Sequence, residues 1–287
     1  MSISGKAKLA GIIGWPVAHS LSPRLHAHWL AARAVDGAYI PLPVAPEDFA
    51  CVVNALQRAG FAGVNVTVPH KEAAFALAHD LDEAARVTGA ANLLLFHADG
   101  RIEGRNTDVL GLTASLNEAL GRNALNGKDA AVLGAGGAAR AAVLALSGLG
   151  ARAIRIVNRG KARAQTLVDA LQPHIRAALS VHDWSESAKA LEGAGLLLNA
   201  TSAGMTGQPP LDLALAALPL NAVVCDIVYN PLETDLLARA QAGGHRIVDG
   251  LGMLMHQAVP AFEAFYGEVP KVTPALRAEL KKALRHG

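Results

Sequence analysis

Residues 129–140 decide the fold, and they read Asp-Ala-Ala-Val-Leu-Gly-Ala-Gly-Gly-Ala-Ala-Arg. The apolar run over 130–133 predicts a strand, and the alanine-rich stretch after the glycines predicts a helix. Gly134 permits a tight bend between them, Gly136 lets backbone amides approach phosphate groups, and Ala139 allows the helix to pack closely on the strand. The free amides at the start of such a helix attract an anion. The candidate residues for binding a dinucleotide pyrophosphate are Gly134, Gly136, Gly137 and Ala138.

Short apolar segments alternate with helical segments on both sides of this turn. The predicted strands are 9–13, 39–44, 63–68 and 91–96 before it, then 130–133, 153–157, 196–200, 223–228 and 246–248. Two predicted helices start at Pro23, after a Ser22 cap, and at Pro69. Two more cover 46–58 and 112–120, one follows Gly250, and the last begins at Pro274. This alternation predicts an α/β protein of two domains, the first with a mostly parallel sheet and the second a doubly wound Rossmann-type domain. Because no long linker separates them, we expect the domains to meet across a cleft.

The composition excludes several classes of protein. At 287 residues, with 52% hydrophobic and 17% charged residues, the chain is long enough for two domains with substantial cores. The formal net charge is only +2 and the basic residues are dispersed, so no nucleic-acid partner is expected. The first residues are too few and too polar for a signal peptide, and no apolar run is long enough to span a bilayer. We therefore expect a cytoplasmic protein with no membrane partner.

The cysteines and histidines form neither a disulfide framework nor a metal-binding pattern. Cys51 and Cys225 are far apart and each lies in an apolar run, which predicts two buried thiols in a reducing compartment. His26 and His28 are two residues apart on a predicted helix and therefore do not share a face. We expect no bound metal.

The segment after the second predicted strand of the Rossmann-type domain indicates which dinucleotide binds. An NAD site usually has Asp or Glu there, whereas residues 158–163 read Asn-Arg-Gly-Lys-Ala-Arg. A guanidinium can hold a 2′-phosphate with paired hydrogen bonds, and a carboxylate would repel it. The alternative is a solvated helix start with incidental charges. We predict NADP as cofactor, with Arg159 and Arg163 as a phosphate clamp and Asn158 as a ribose or phosphate partner.

A set of polar residues precedes the glycine turn: Ser20, Ser22, Lys71, Asn92 and Asp108. Together they offer donors, acceptors and an acid/base pair for a small polyhydroxylated acid, which indicates a redox enzyme. Taken alone, Ser22 is equally well explained as a helix cap and Lys71 as a surface lysine. A lysine at a helix start is nevertheless unusual, because the helix dipole disfavours a cation there.

Six motifs, in order, resemble those of the shikimate dehydrogenase family. They are Gly-Trp-Pro-Val-Ala-His-Ser-Leu-Ser-Pro at 14–23, Asn-Val-Thr-Val-Pro-His-Lys at 65–71, Gly-Arg-Asn-Thr-Asp at 104–108, Asn-Ala-Thr-Ser-Ala-Gly-Met at 199–205, Tyr-Asn-Pro at 229–231 and Gly-Leu-Gly-Met-Leu-Met-His-Gln at 250–257. The resemblance implies NADPH-dependent, reversible reduction of 3-dehydroshikimate to shikimate in aromatic amino acid biosynthesis. It also implies a substrate domain of residues 1–107 plus 250–287 and an NADP domain of residues 108–249.

The resemblance further assigns roles to single residues. Lys71 and Asp108 are implied to be the catalytic acid/base pair, acting on the hydroxyl that is oxidised. The implied substrate-binding residues are Ser20, Ser22, Thr67, Asn92, Tyr229 and Gln257. The implied residues on the nicotinamide side are Thr201, Met205, Gly250 and Met253. Asn65 is interpreted as a structural residue that braces a loop, and Met255 as a core residue.

Two other functions remain open at this point. Quinate carries one more ring hydroxyl than shikimate, so a quinate or dual quinate/shikimate dehydrogenase fits the same motifs. A non-catalytic paralogue that senses a dinucleotide would share the glycine turn but would not need both Lys71 and Asp108. We expect a monomer or a homodimer.

Overall fold

The computed structural model describes residues 3–286, and the chain divides into two compact units. The first unit comprises the chain up to Thr107 and the part from Gln257 on, and the second comprises Asp108–His256. The helix that contains residue 257 carries the chain from the second unit back to the first.

The first unit holds a six-stranded sheet and the helices that cover it. Its strands are β1 (Lys8–Gly14), β2 (Gly37–Pro43), β3 (Gly63–Val66), β4 (Asp80–Leu81), β5 (Leu93–Phe96) and β6 (Ile102–Arg105). Its helices are α1 (Ser22–Ala32), α2 (Phe49–Arg58), α3 (Lys71–Leu77), α4 (Glu83–Thr88), the second part of α10 (Gly250–Tyr266) and α11 (Pro274–His286). The strand order is β2-β1-β3-β5-β6-β4, in which β1 pairs in parallel with both β2 and β3, while β5 is antiparallel to β3 and β6.

An aromatic cluster joins α1, β2 and α10. The ring of His26 stacks on Tyr39 with centroids 3.8 Å apart, and Trp29, Phe262 and Phe265 surround the pair. Burial lowers the pKa of His26 to about 3, so the imidazole is neutral in this core.

The second unit is a doubly wound domain. Its strands are β7 (Asp129–Leu133), β8 (Ala153–Asn158), β9 (Ala178–Asp183), β10 (Ala194–Asn199), β11 (Val223–Asp226) and β12 (Arg246–Val248). Its helices are α5 (Asp108–Leu120), α6 (Gly137–Gly148), α7 (Lys161–Leu171), α8 (Ser187–Leu191), α9 (Asp235–Ala242) and the first part of α10. The order β12-β11-β10-β7-β8-β9 is parallel throughout. The order reverses between β7 and β10, where such folds bind ligands at the carboxyl ends of the strands. The predicted α/β fold class is confirmed.

Several predicted elements differ in their bounds or were missed. Helix α3 begins at Lys71 rather than Pro69, because residues 68–70 form a turn closed by the His70 N–H and the Thr67 carbonyl, 2.9 Å apart. Helix α1 begins at Ser22 with Leu21 as its N-cap, so the predicted Ser22 cap is wrong. Helix α5 begins at Asp108, ahead of the predicted residue 112. Strands β4, β6 and β9 were not predicted. Strand β4 has only two residues, β6 is the second strand of a hairpin with β5, and β9 is a polar strand at the edge of its sheet.

The prediction that both thiols are buried is wrong for one of them. Cys225 is buried in β11, whereas Cys51 is exposed on α2. Phe49 and Val53, four residues apart, form the buried face of α2, so the residue midway between them faces outward. Among residues 3–286, no helix combines the length and the apolar character that crossing a membrane requires.

The pairing of β3 with β5 depends on a glycine. A β-carbon at Gly63 would overlap the carbonyl oxygen of Leu94 and lie 2.8 Å from the ring of Phe265. We expect Gly63→Ala to lower the free energy of unfolding by about 1–3 kcal/mol, because the overlap forces the strands apart. Gly5→Ala is the matched control, since a β-carbon at Gly5 meets no atom of the described chain within 4 Å. Urea unfolding of both variants measures the difference, and equal midpoints would contradict the prediction.

Candidate functional site

Ser20 and Ser22 lie where β1 leads into α1. The backbone N–H of Ser22 donates to Ser20 Oγ over 3.3 Å, and the N–H of Ser20 donates to the carbonyl of Val17 over 3.0 Å. Ser22 is 3% exposed and Ser20 is half-buried. Ser20 therefore supports the first turn of α1, the role that the sequence pattern assigned to Ser22.

Thr67 and Lys71 stand on either side of the turn at residues 68–70. The N–H of Thr67 donates to the carbonyl of Ile13 over 2.9 Å, so this residue stays beside the end of β1. Lys71 is the half-buried first residue of α3, and its carbonyl accepts the N–H of Ala91 over 2.9 Å. A lysine therefore occupies the helix start, as the sequence indicated.

The buried neighbour His70 fixes the backbone that leads into Lys71. Its Nε2 lies 2.8 Å from the carbonyl oxygen of Val44, and its ring stacks on Phe49 with centroids 4.9 Å apart and planes 13° apart. Two independent contacts thus hold the residue directly before α3, so the start of that helix has a fixed position.

Asn92 and Gln257, both predicted to bind substrate hydroxyls, are brought together by a residue that was not predicted. Asn92 Oδ1 accepts the N–H of Thr107 over 2.8 Å, and Asn92 Nδ2 donates to Thr107 Oγ1 over 3.0 Å. Gln257 Oε1 lies 3.4 Å from Thr107 Oγ1 and 3.5 Å from Asn92 Nδ2. Asn92 and Thr107 are 3% and 5% exposed. The sequence signal for Thr107 was weak, because it precedes a helix and a threonine there is an ordinary helix cap.

A second amide supports Asn92 from behind. Tyr39 Oη donates to Asn65 Oδ1 over 2.8 Å, and Asn65 Nδ2 donates to the carbonyl of Asn92 over 3.2 Å. The buried side chain of Asn65 thus braces the loop before β5, in line with the structural role interpreted from the sequence.

Asp108 is the first residue of α5 and belongs to the second unit, whereas Lys71 belongs to the first. The residue is 4% exposed. The free backbone N–H groups and the dipole at the start of a helix favour a negative charge at that position. Asp108 directly follows Thr107 in the chain.

The glycine turn has the geometry that an anion site requires. Gly134 adopts a φ of +105°, which side-chain-bearing residues avoid, and a β-carbon there would lie 3.0 Å from Thr201 Cγ2. Gly136 is the N-cap of α6, so the amides of Gly137 and Ala138 belong to the first turn of that helix. The turn follows β7 and Thr201 follows β10, so the two predicted cofactor residues meet at the point where the strand order reverses.

Arg163, one of the two arginines of the predicted phosphate clamp, lies beside this turn. A β-carbon at Gly136 would lie 3.8 Å from Arg163 Nη2, and both Arg159 and Arg163 are exposed. Asn158 ends β8, and its Nδ2 donates to the carbonyl of Gly160 over 2.8 Å, which shapes the turn that contains Arg159 and leads into α7, where Arg163 lies. An exposed guanidinium next to a phosphate-binding turn can hold a further phosphate.

A buried carboxylate that was not predicted joins the loops that follow β10 and β11. Asn199 Oδ1 accepts from the N–H and the hydroxyl of Thr201, over 3.0 and 2.7 Å. Asn199 Nδ2 donates over 3.0 Å to Asp226 Oδ1, which also accepts the N–H of Val228 over 3.0 Å. Asp226 Oδ2 accepts the hydroxyl of Thr234 over 2.7 Å. The loops after β10 and β11 are thus held by one side chain, which is fully buried.

Burial raises the pKa of Asp226 to about 6, although the hydrogen bonds from Thr234, Val228 and Asn199 oppose the shift. Burial also raises the pKa of the Cys225 thiol, and the carboxyl groups of Asp226 and Asp249 raise it further. A thiol held in its neutral form is inert, so Cys225 is a packing residue.

The remaining predicted residues lie in these two loops and in α10. Met205 and Tyr229 are half-buried, and Thr206 Oγ1 donates to Asn230 Oδ1 over 3.1 Å, which ties their loops together. A β-carbon at Gly250 would overlap the carbonyl oxygen of Ile227, so α10 starts in close contact with the end of β11. Met253 and Met255 are 9% and 2% exposed, the latter as predicted for the core.

Known proteins match the chain along nearly its whole length. The family profile described as the shikimate dehydrogenase substrate binding domain matches residues 12–94, and that described as shikimate / quinate 5-dehydrogenase matches residues 116–206. "Shikimate dehydrogenase (NADP(+))" of Paramagnetospirillum magneticum is 56% identical over 276 residues, 96% of this chain and 99% of that protein.

Solved structures agree in fold. Shikimate 5-dehydrogenase from Thermus thermophilus, in complex with NADP(H) and shikimate, is 33% identical with a TM-score of 0.82, covering 97% of this chain and 99% of that chain. Quinate dehydrogenase from Corynebacterium glutamicum, in complex with NAD, is 30% identical with a TM-score of 0.86, covering 96% and 99%.

A parallel doubly wound sheet with a glycine turn at its point of reversal, joined to a second α/β unit rich in buried amides, defines a dinucleotide-dependent oxidoreductase. The family within that class follows from the profiles and the relatives. The chain belongs to the shikimate dehydrogenase family.

The raised pKa of Asp226 makes stability depend on pH. Because folding raises this pKa from 3.8 to about 6, folding favours the protonated form. The contribution of the Asp226 carboxyl group to the free energy of unfolding is therefore fully present below pH 3.8 and is lost as the pH rises through about 6. We expect the unfolding free energy of the wild type, minus that of Asp226→Asn, to fall by about 2–3 kcal/mol over this interval. Urea unfolding at several pH values measures it.

The matched control is Asp169→Asn, which alters an exposed carboxylate of the same unit. Its difference from the wild type should vary little with pH, since exposed carboxylates are screened by water. A constant difference between the wild type and Asp226→Asn over the whole interval would contradict the assignment of the shift to Asp226.

Proposed function

We propose that this protein catalyses the NADPH-dependent, reversible reduction of 3-dehydroshikimate to shikimate. The observation that carries the proposal is the 56% identity, over 96% of the chain, to a protein named NADP-dependent shikimate dehydrogenase. The arrangement of Asn92, Thr107 and Gln257 supports it from the side of the substrate, because buried amides suit ring hydroxyls.

Lys71 and Asp108 are the proposed acid/base pair. When bound, NADPH supplies the hydride that the ketone carbon of the substrate accepts. The ammonium group of Lys71 donates a proton to the oxygen of that carbon and is later reprotonated from solvent. Asp108, a buried residue at a helix start, orients Lys71 and the same hydroxyl. In the reverse direction Lys71 takes up the hydroxyl proton.

The remaining predicted residues bind the two ligands. Ser20 and Ser22 are proposed to donate to the substrate carboxylate, near Tyr229. Thr67, Asn92 and Gln257 are proposed to bind the ring hydroxyls. The proposed cofactor contacts are Gly134, Gly136, Gly137 and Ala138 to the pyrophosphate, Asn158, Arg159 and Arg163 to the 2′-phosphorylated ribose, and Thr201, Met205, Gly250 and Met253 to the nicotinamide side.

Quinate dehydrogenase activity is the second candidate. The solved quinate dehydrogenase has a TM-score of 0.86 with this chain, so the fold itself accommodates either substrate. We further propose a cytoplasmic monomer or homodimer. The exposed free thiol of Cys51 supports a reducing compartment.

The first test follows the absorbance of the reduced nicotinamide with shikimate or quinate, each with NADP or NAD. We expect strong turnover only with shikimate and NADP. Preference for quinate or NAD would move the protein to the second candidate, and no turnover with any pair would favour a dinucleotide sensor.

We expect Lys71→Met and Asp108→Asn each to lower kcat at least about 100-fold, as loss of general acid–base catalysis does. Lys6→Met, an exposed lysine of the first unit, is the control.

The phosphate clamp has its own test. We expect Arg163→Ala to raise the KM for NADP at least about tenfold while changing the KM for NAD about twofold or less, because only NADP carries the 2′-phosphate. Arg176→Ala, an exposed arginine of the same unit outside the clamp, should leave both values near those of the wild type. Equal increases for the two cofactors would show that Arg163 does not recognise the 2′-phosphate.

A further inference from the structure

Thr107 occupies the centre of the buried polar network in the first unit. Its N–H and its hydroxyl both contact Asn92, and its hydroxyl also contacts Gln257. We propose that Thr107 is a positioning residue: its backbone N–H and its hydroxyl orient the amides of Asn92 and Gln257, so that the amino group of Gln257 is turned toward the ring hydroxyls of the substrate. This inference rests on the proposed function and assigns a role to a residue outside the predicted set.

The orientation of Asn92 follows from a donor that cannot change its role. A backbone N–H only donates, and that of Thr107 lies 2.8 Å from Asn92 Oδ1. The oxygen of this amide must therefore face Thr107 N, and the nitrogen Nδ2 faces Thr107 Oγ1 at 3.0 Å. The Asn92 amide, whose two ends are often interchangeable, has one favourable orientation here.

The hydroxyl of Thr107 transmits this orientation to Gln257. Oγ1 accepts from Asn92 Nδ2, and its own proton has two acceptors within reach, Asn92 Oδ1 at 3.2 Å and Gln257 Oε1 at 3.4 Å. Asn92 Nδ2 lies 3.5 Å from the same oxygen. Gln257 Oε1 thus faces two donors, so the amino group of Gln257 is directed away from Thr107 and Asn92.

The backbone under this network is rigid. The N–H of Asn92 donates to the carbonyl of Arg105 over 3.0 Å, and its carbonyl accepts from Val66 and Asn65 over 2.8 and 3.2 Å. Because Asn92 and Thr107 are almost fully buried, water cannot replace a lost partner cheaply. Removing the Thr107 hydroxyl therefore takes one partner from Asn92 Nδ2 and one donor from Gln257 Oε1, while the backbone N–H that contacts Asn92 Oδ1 remains.

This orientation determines what the substrate meets. A ring hydroxyl oxygen accepts one or two hydrogen bonds, and N–H donors held by a pre-formed network bind it without first reorganising. Thr107 does not itself need to touch the substrate. Its position directly before Asp108 further links the orientation of the amides to the start of α5.

The test compares Thr107→Val, which has the same shape without the hydroxyl, with Thr107→Ser, which keeps the hydroxyl. We expect Thr107→Val to raise the KM for shikimate about tenfold, with kcat within about threefold and the KM for NADP within about twofold of the wild type. Thr107→Ser should restore the KM for shikimate to within about threefold. Equal KM values in Thr107→Val and the wild type would overturn the proposal, and so would a Ser variant as impaired as the Val variant.

Thr88 supplies the matched control for replacing a buried threonine by valine. Its hydroxyl donates to the carbonyl of Ala84 over 2.7 Å and accepts from Asn106 Nδ2 over 3.0 Å. Thr88→Val should lower stability without raising the KM for shikimate. On a Gln257→Ala background, Thr107→Val should raise the KM by less than it does in the wild type, since one of its two targets is already gone.

A readout that needs no turnover separates this proposal from the proposed function. The side-chain amide signals of Asn92 and Gln257 in ¹H–¹⁵N spectra can be identified by their loss in the two alanine variants. Both signals should shift in Thr107→Val and remain close to the wild type in Thr107→Ser. Unshifted signals in Thr107→Val would overturn the proposal whatever the activity. Shifted signals in a protein that does not oxidise shikimate would uphold the network and refute the proposed function instead.

Discussion

The close approach of β7, β8 and β10 at the glycine turn is the constraint on which the second unit depends. The N–H of Gly134 donates to the carbonyl of Val157 over 2.9 Å, and the N–H of Ala200 donates to that of Leu133 over 3.0 Å. The backbone at Gly134 thus passes between two neighbouring strand ends at a φ of +105°. A side chain there would press on Thr201 and Ala200. Because the turn stays this tight, the first amides of α6 are left at the edge of the sheet, where an anion can reach them.

Each unit also has to satisfy polar groups that are buried at its strand ends. In the second unit, one carboxylate accepts three hydrogen bonds, from Asn199, Val228 and Thr234. In the first, a threonine and an asparagine exchange hydrogen bonds through side chain and backbone. An unpaired buried donor or acceptor is costly, so both networks limit their loops to one arrangement. The groups proposed to meet a ligand are therefore positioned by residues outside the proposed contacts.

How much of this follows from the sequence depends on whether the signal is local. The glycine turn, the buried strands β1 and β7 and the lysine at the start of α3 were predicted, because apolar runs and glycine or proline at their ends are local patterns. Strand β9 was missed because Ser180 and His182 give it the polarity of an exposed edge. Asp226 and Thr107 were missed because their importance lies in partners 27 and 15 residues away along the chain. The exposure of Cys51 could have been predicted, since the period of α2 puts it opposite Phe49 and Val53.

The choice between shikimate and quinate depends on a single hydroxyl, and the fold does not decide it. The structures of a shikimate and a quinate dehydrogenase match this chain with TM-scores of 0.82 and 0.86. Quinate adds a hydroxyl beside the carboxylate, where Ser20 and Ser22 are proposed to bind. Ser20 Oγ accepts the N–H of Ser22, and the Ser20 hydroxyl has a single proton available for donation. An added hydroxyl would compete with the carboxylate for that proton, or would itself donate to the remaining lone pair of Ser20 Oγ. Since a charged acceptor takes a shared donor in preference to a neutral one, we expect the carboxylate to keep the Ser20 proton with either acid, so the selectivity depends on whether the residues around Ser20 leave room for the added hydroxyl.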